Sequence, residues 1–278
     1  MKRITCSIIL FFFILSGYNL IAQAQESSPL FQGEIGLQTY TFRNSFPQGV
    51  AATLDTIKSL GFVELEANPP KGVSHKEFRK MCDTRGLKIV ATGADYGELT
   101  ANPQQVVKNA KILGSSFVMV AWIPHQAPFK LDDAMRAAED FNKAGKVLKE
   151  NGITLCYHNH GYEFIPYGDG TLFDYIAENT NPDYVSFELD ILWAIHPGMD
   201  PAALLRKYGS RFKLMHLKDL KKGVKGDYSG GTPTTNDVAI GTGQAKFRSI
   251  IRAAQAAGVQ HYFIEDETLP IWSRYLIR

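Results

Sequence analysis

The sequence has 278 residues, 45% of them hydrophobic and 21% charged, with a formal net charge of +2. That length suits one large domain, close to the ~250 residues of a β/α barrel. The balanced charge, with no basic stripe carrying interleaved aromatics, argues against nucleic acid as a partner and gives no reason to expect an anionic membrane.

The N-terminus reads as a targeting segment. Lys2 and Arg3 precede an unbroken apolar run over residues 8–15, and Ala22-Gln23-Ala24 offers small residues at cleavage positions. This is the layout of a secretory signal peptide. It predicts removal of residues 1–24, an exported and periplasmic protein, and a mature domain spanning 25–278. The apolar run is short for a membrane span of ~20 residues, and Ser16, Gly17 and Asn19 interrupt it, so no stable membrane insertion is expected. Cys6 lies before the run, which argues against a lipoprotein. Cys82 and Cys156 remain in the mature chain. Two cysteines far apart in a large domain read as buried thiols rather than a disulfide framework.

The rest of the chain alternates short β-type runs with longer helical stretches. Residues 35–41 form the first predicted strand. Val50, Leu54, Ile57 and Leu60 give helical spacing over 49–60, Gly61 stops that helix, and 62–66 is the second strand. Ser74 caps a helix over 76–85, with Glu77 positioned to complete a capping box. Gly86 closes it before strand three at 87–92. Helix 103–113 and strand 117–121 follow. Helix 132–150 then leads through Asn151-Gly152 into strand five at 153–158. Helix 172–178, strand 184–190, helix 201–208, strand 212–217, helix 245–257 and strand 262–265 complete the series.

Leu60-Gly61-Phe62, Arg85-Gly86-Leu87 and Asn151-Gly152-Ile153 share one grammar, a glycine helix cap entering a buried strand. Eight strands alternating with helices imply parallel pairing. No G-x-G-x-x-G opens a helix, so an open dinucleotide-binding sheet lacks its phosphate turn. The predicted fold is therefore α/β, a (β/α)₈ TIM barrel. Only 13 residues follow Glu265, so the eighth helix is expected to be short or missing. That gap predicts lower stability or a homo-oligomer.

In such a barrel the active site lies at the C-terminal ends of the strands. There the sequence places Glu64 and Glu66 on strand two and His158-Asn159-His160 with Glu163 on strand five. Strand six brings Glu188 and Asp190, strand seven His216-Leu217-Lys218-Asp219, and strand eight Glu265-Asp266-Glu267. Imidazoles mixed with carboxylates suit Mn²⁺, Zn²⁺, Co²⁺ or Fe²⁺ better than Ca²⁺.

These pieces, with Gly36-Leu37-Gln38-Thr39-Tyr40 and Gly61-Phe62-Val63-Glu64-Leu65, occur in an order that resembles the xylose isomerase-like TIM barrel superfamily, including the sugar phosphate isomerase/epimerase family. The resemblance implies one divalent metal, Mn²⁺ first among the candidates, held by His158, Asp190, His216 and Glu265. Family members usually carry an acidic residue where His158 stands, so Glu163 is a second candidate for the strand-five ligand. It also implies a sugar or keto-sugar substrate. Glu265, His158, His160 and Glu66 are the candidate acid/base residues. Trp122, Glu163, Trp193 and Lys218 are candidate substrate contacts, with loop packing the other reading for both tryptophans. The expected activity is a metal-dependent sugar isomerase or epimerase working through an enediolate. The alternative is a 3-keto-sugar or 3-keto-glycoside lyase or hydratase using the same metal. A non-catalytic sugar-binding barrel is the remaining reading.

Overall fold

The computed structural model describes residue 31 and residues 33–268. Every element named below lies in one compact unit that begins at Glu34. The expected signal peptide over 1–24 lies outside the described residues, as does the stretch 269–278 on which the short eighth helix was expected. No helix among the described residues is long and apolar enough to cross a membrane.

Eight strands close into a barrel: β1 (Gly36–Gln38), β2 (Glu64–Glu66), β3 (Lys88–Gly93), β4 (Phe117–Val120), β5 (Thr154–His158), β6 (Val185–Asp190), β7 (Phe212–Leu217) and β8 (His261–Ile264). Every pairing is parallel, and β1 closes the ring between β8 and β2. The helices are α1 (Val50–Ser59), α2 (His75–Asp83), α3 (Tyr96–Ala101), α4 (Pro103–Leu113), α5 (Leu131–Glu150), α6 (Leu172–Asn179), α7 (Ile191–Ile195), α8 (Pro201–Tyr208) and α9 (Phe247–Ala257). Each of the seven successive strand pairs is thus bridged by at least one helix, as the alternating pattern predicted.

Most predicted boundaries hold within two residues, and the three cap glycines have the positive φ that role requires: +93° at Gly61, +63° at Gly86 and +76° at Gly152. Two expectations change. The first strand stops at Gln38 rather than Thr41, because the Gln38 side chain accepts from Tyr40 N at 3.0 Å and turns the chain into a 3₁₀ helix over Thr39–Phe42. At α2, Ser74 Oγ accepts from Glu77 N at 3.2 Å, but only this half of the expected capping box is seen. Cys82 and Cys156 are both buried and unbonded to each other, as expected.

Strand side chains alternate in direction, so residues two apart share the barrel interior. Phe117, Cys156, Leu214 and Phe263 pack together in an apolar cluster. His158, His216 and Glu265 each follow one of these residues by two positions. The interior therefore changes from apolar to ionisable over a single step, towards the C-terminal ends of the strands.

The helical layer packs closely on this barrel at Gly145 of α5, where a Cβ would lie 2.7 Å from the carbonyl oxygen of Tyr184. Backbone cannot yield as a flexible side chain can. Gly145→Ala is therefore expected to destabilise the protein by about 1–3 kcal/mol, although the same change on an open helix face would stabilise it. A thermal melt that rises for this variant would contradict the close contact.

Candidate metal centre and active site

A cavity of about 1140 Å³ opens at the C-terminal ends of the strands, and His158, His160, Trp193, His216, Lys218 and Glu265 line its floor and wall. The strand ends are held in register by side chains as well as by the ladder. Asn159 Nδ2 donates to Asp190 O at 3.1 Å, and Asp190 N donates to Asn159 Oδ1 at 2.9 Å. This reciprocal pair clamps the end of β5 to the end of β6. Asp190 also caps α7, its Oδ1 accepting from Trp193 N at 2.8 Å. Those bonds leave its other oxygen aimed at the histidines.

Asp190 Oδ2 lies 3.7 Å from His158 Nε2 and 3.7 Å from His216 Nδ1. His216 Nδ1 is also 3.0 Å from Glu265 Oε2, while its Nε2 is 3.1 Å from Glu66 Oε1. Lys218 Nζ donates to Glu265 Oε2 at 3.3 Å and to Glu267 Oε1 at 2.6 Å. The carboxylates of Glu66, Glu188, Asp190 and Glu265 are all buried beside one buried ammonium, that of Lys218.

The charges set one another. Burial alone would raise the Glu265 carboxyl, but Lys218 and His216 outweigh it and hold it well below the usual carboxylate range. Burial opposes the charge on Lys218, yet Glu265, Asp190 and Glu267 keep it protonated well above the ordinary lysine value. Burial, then the neighbouring His216 and His160, push His158 well below the usual imidazole value. His160 is lowered too, chiefly by burial. Both therefore carry a free lone pair at neutral pH.

The donor set fits a divalent cation. His158, Asp190 and His216 each offer one ligand atom, all within 4.8 Å of one another. Asp190 Oδ2 is buried with no hydrogen-bond partner, an arrangement that is costly unless a cation or an unseen donor completes it. Buried carboxylates in excess of buried cations point the same way. Imidazole nitrogen with carboxylate oxygen suits first-row metals.

The structure brings His158, Asp190, His216, Glu265, Lys218, His160 and Trp193 together around one cavity. Glu66 is fully buried and sits against His216 Nε2, on the side of the ring away from Asp190. Glu163 is corrected: it does not reach the cluster as a ligand or line the cavity. Its Oε1 instead accepts from Tyr157 Oη at 2.8 Å and from His160 N at 2.9 Å, so it pins the loop that presents His160. Trp122 is 43% exposed and packs against His125, His160 and Tyr162 beside the mouth rather than on the cavity wall. Trp193 does line it, stacked on His160 at 4.4 Å between ring centroids. Glu188 and Glu267 carry no assigned role in the sequence reading. The period-two spacing of Glu188 from Asp190 within β6 is the signal that places it on the same interior face.

The pinned carboxylate has a thermodynamic signature. Burial raises the Glu163 carboxyl to about 7, above an unfolded value of about 4.3. Between those values the folded state holds a proton that the unfolded chain has released. Stability therefore falls as pH rises from about 4 to 7, by about 3 kcal/mol in all. Glu163→Gln is expected to remove this loss, so denaturant midpoints at pH 5 and pH 8 should converge in the variant. An unchanged gap between the two pH values would contradict it.

The model of the xylose isomerase-like TIM barrel family matches residues 54–269. The chain belongs to that family. Among family relatives, the inosose dehydratase of Clostridium beijerinckii is 30% identical over 202 residues, 65% of this chain and 65% of that enzyme. Shorter stretches match other inosose dehydratases over 28% of their length. A sugar phosphate isomerase/epimerase from Parabacteroides distasonis ATCC 8503 superposes with a TM-score of 0.71 at 27% identity, covering 88% of this chain and 90% of that one. The IolI protein with a bound zinc atom superposes with a TM-score of 0.64 over 84% of this chain and 88% of that one. At 13% identity, that is a likeness of fold.

Proposed function

We propose that this family member is a metal-dependent lyase of the dehydratase type, acting on a keto-sugar, a keto-glycoside or a keto-cyclitol. The observation that carries this reading is the convergence of His158, Asp190, His216 and Glu265 beside the Lys218–Glu267 ion pair in one cavity. Those first four residues would hold the metal. When bound, a divalent cation supplies Lewis acidity towards a substrate carbonyl and its neighbouring hydroxyl.

His160 lines the cavity as a neutral imidazole and takes the proton from the carbon next to the carbonyl. The Lys218 ammonium, fixed by Glu265 and Glu267, offsets negative charge developing on the carbonyl oxygen. The electron pair of the broken C–H bond forms the C=C bond, and the C–O bond at the next carbon breaks. The imidazolium of His160 returns its proton to the departing oxygen, so water or an alcohol leaves and no redox partner is needed. Trp193, stacked behind His160, keeps that ring in place.

Similarity to inosose dehydratases supports elimination over isomerisation. So does His158, an imidazole where the family resemblance implies a carboxylate, because it leaves one fewer carboxylate for two-base chemistry. The isomerase or epimerase reading keeps the same first step, with the proton returned to carbon. It is supported by the likeness to the Parabacteroides distasonis structure. The metal-loaded protein should be incubated with an inosose, 3-keto-glycosides and free sugars, and the products followed by mass spectrometry. Loss of water or release of an aglycone is expected. Products of unchanged mass from a free sugar would instead favour the isomerase.

A further inference from the structure

One buried carboxylate faces both histidines of the centre. Glu188 is fully buried on β6. Its Oε2 lies 3.0 Å from His158 Nδ1, and its Oε1 lies 3.4 Å from His216 Nε2. The two imidazole rings stand edge to face, 4.6 Å apart. Their remaining nitrogens, His158 Nε2 and His216 Nδ1, both face Asp190 Oδ2 at 3.7 Å.

We propose that Glu188 is a positioning residue that fixes the tautomers of His158 and His216 in opposite senses, so that both free lone pairs converge on the metal side at Asp190. A neutral imidazole has one N–H and one lone pair. An ionised carboxylate only accepts hydrogen bonds. In the metal-bound centre His158 therefore carries its hydrogen on Nδ1, facing Glu188, and His216 keeps its hydrogen on Nε2, which hydrogen-bonds Glu66 and lies 3.4 Å from Glu188 Oε1, while His216 Nδ1, 3.0 Å from Glu265 Oε2, turns its lone pair to the cation. The lone pairs are then left on Nε2 and Nδ1, the two nitrogens that face Asp190. Glu66 supports the second assignment, its Oε1 being 3.1 Å from His216 Nε2. The strand register makes this possible. His158 pairs with Glu188 and Asp190 with His216 across β6, and residues 188 and 190 share the interior face.

A second cation is the competing use of these atoms, because Glu66, Glu188 and His216 also come within ligand distance of one another. The hydrogen bonds from His158 Nδ1 to Glu188 and from His216 Nε2 to Glu66 favour orientation. His216 would have to give up its last ring proton to serve cations on both nitrogens.

The inference rests on the metal centre proposed above, and cobalt separates the two. The full chain is loaded with Co²⁺, and its metal content, Co²⁺ affinity and visible absorption are compared in the wild type, Glu188→Gln and Glu188→Asp, with circular dichroism to check folding. A glutamine amide presents one acceptor and one donor, so it misdirects one of the two rings. Glu188→Gln is expected to bind one Co²⁺ about 10–100-fold more weakly with shifted absorption bands. Glu188→Asp keeps an acceptor-only group and should retain the wild-type bands. Wild-type affinity and bands in Glu188→Gln would overturn the proposal. So would a folded Glu188→Asp protein with altered bands, even where Glu188→Gln does not fold. Two Co²⁺ per wild-type chain, one of them lost in Glu188→Gln, would make Glu188 a ligand instead. A wild type that takes up no Co²⁺ would remove the metal centre itself.

Discussion

Alanine in place of His216 is expected to take metal content from about one ion per chain to near zero. The reason is position. His216 lies within 4 Å of all four buried carboxylates, Nδ1 towards Asp190 and Glu265 and Nε2 towards Glu66 and Glu188. Several kcal/mol of transition-state charge stabilisation go with a catalytic metal, so kcat/KM should fall by about 10³-fold or more. Folding stability should fall as well, because the buried carboxylates of Glu66 and Glu265 lose the ring that hydrogen-bonds both. Removing one partner of a buried charge pair costs about 3–5 kcal/mol. Burial would lower His216, but Glu188 and Glu66 raise it well above the ordinary imidazole value, so the metal-free protein keeps a cationic ring there. Elemental analysis and a thermal melt of His216→Ala check both effects. Wild-type metal content in the variant would contradict the assignment.

His160→Ala should separate chemistry from metal binding. His160 lines the cavity but lies outside both groups of metal-capable residues. Its backbone N–H is held by Glu163 and its ring is stacked on Trp193, so the loop keeps its anchor when the ring is removed. As the proposed base, its loss should lower kcat by about 10²–10⁴-fold while metal content stays at the wild-type level. Steady-state kinetics paired with elemental analysis would show this split. An unchanged kcat would move the base to another group, and Glu267 is the next carboxylate on the cavity wall.

Much of this was legible in the residues. Glycine caps and strand-to-helix alternation located all eight strands, because a cap glycine needs positive φ and a buried parallel strand needs a continuous apolar run. The ligand candidates were legible because barrel geometry turns strand ends into a single pocket. What could not be read was direction within that pocket. Glu66, Glu163 and Glu188 look alike in sequence. Only the fold shows Glu66 and Glu188 facing the far side of the histidines and Glu163 turned to Tyr157 and His160 N. Two short helices were also missed. In α3, Gly97 and Thr100 are poor helix formers, and the segment is set by Asp95, whose Oδ1 accepts from Gly97 N at 2.8 Å. The run 191–195 is apolar throughout, so it shows no helical period. It becomes α7 because Asp190 caps it.

In the proposed reaction a proton next to a carbonyl is removed at the strand-end metal centre and a group is then eliminated from the adjoining carbon. Proton NMR in D₂O on the metal-loaded protein with a 3-keto-glycoside tests it most directly. Aglycone release is expected, with loss of the signal from the proton next to the carbonyl, both abolished by a chelator and both restored by adding metal back. Solvent deuterium entering the intact substrate without elimination, or neither change in a protein shown to hold its metal, would contradict it.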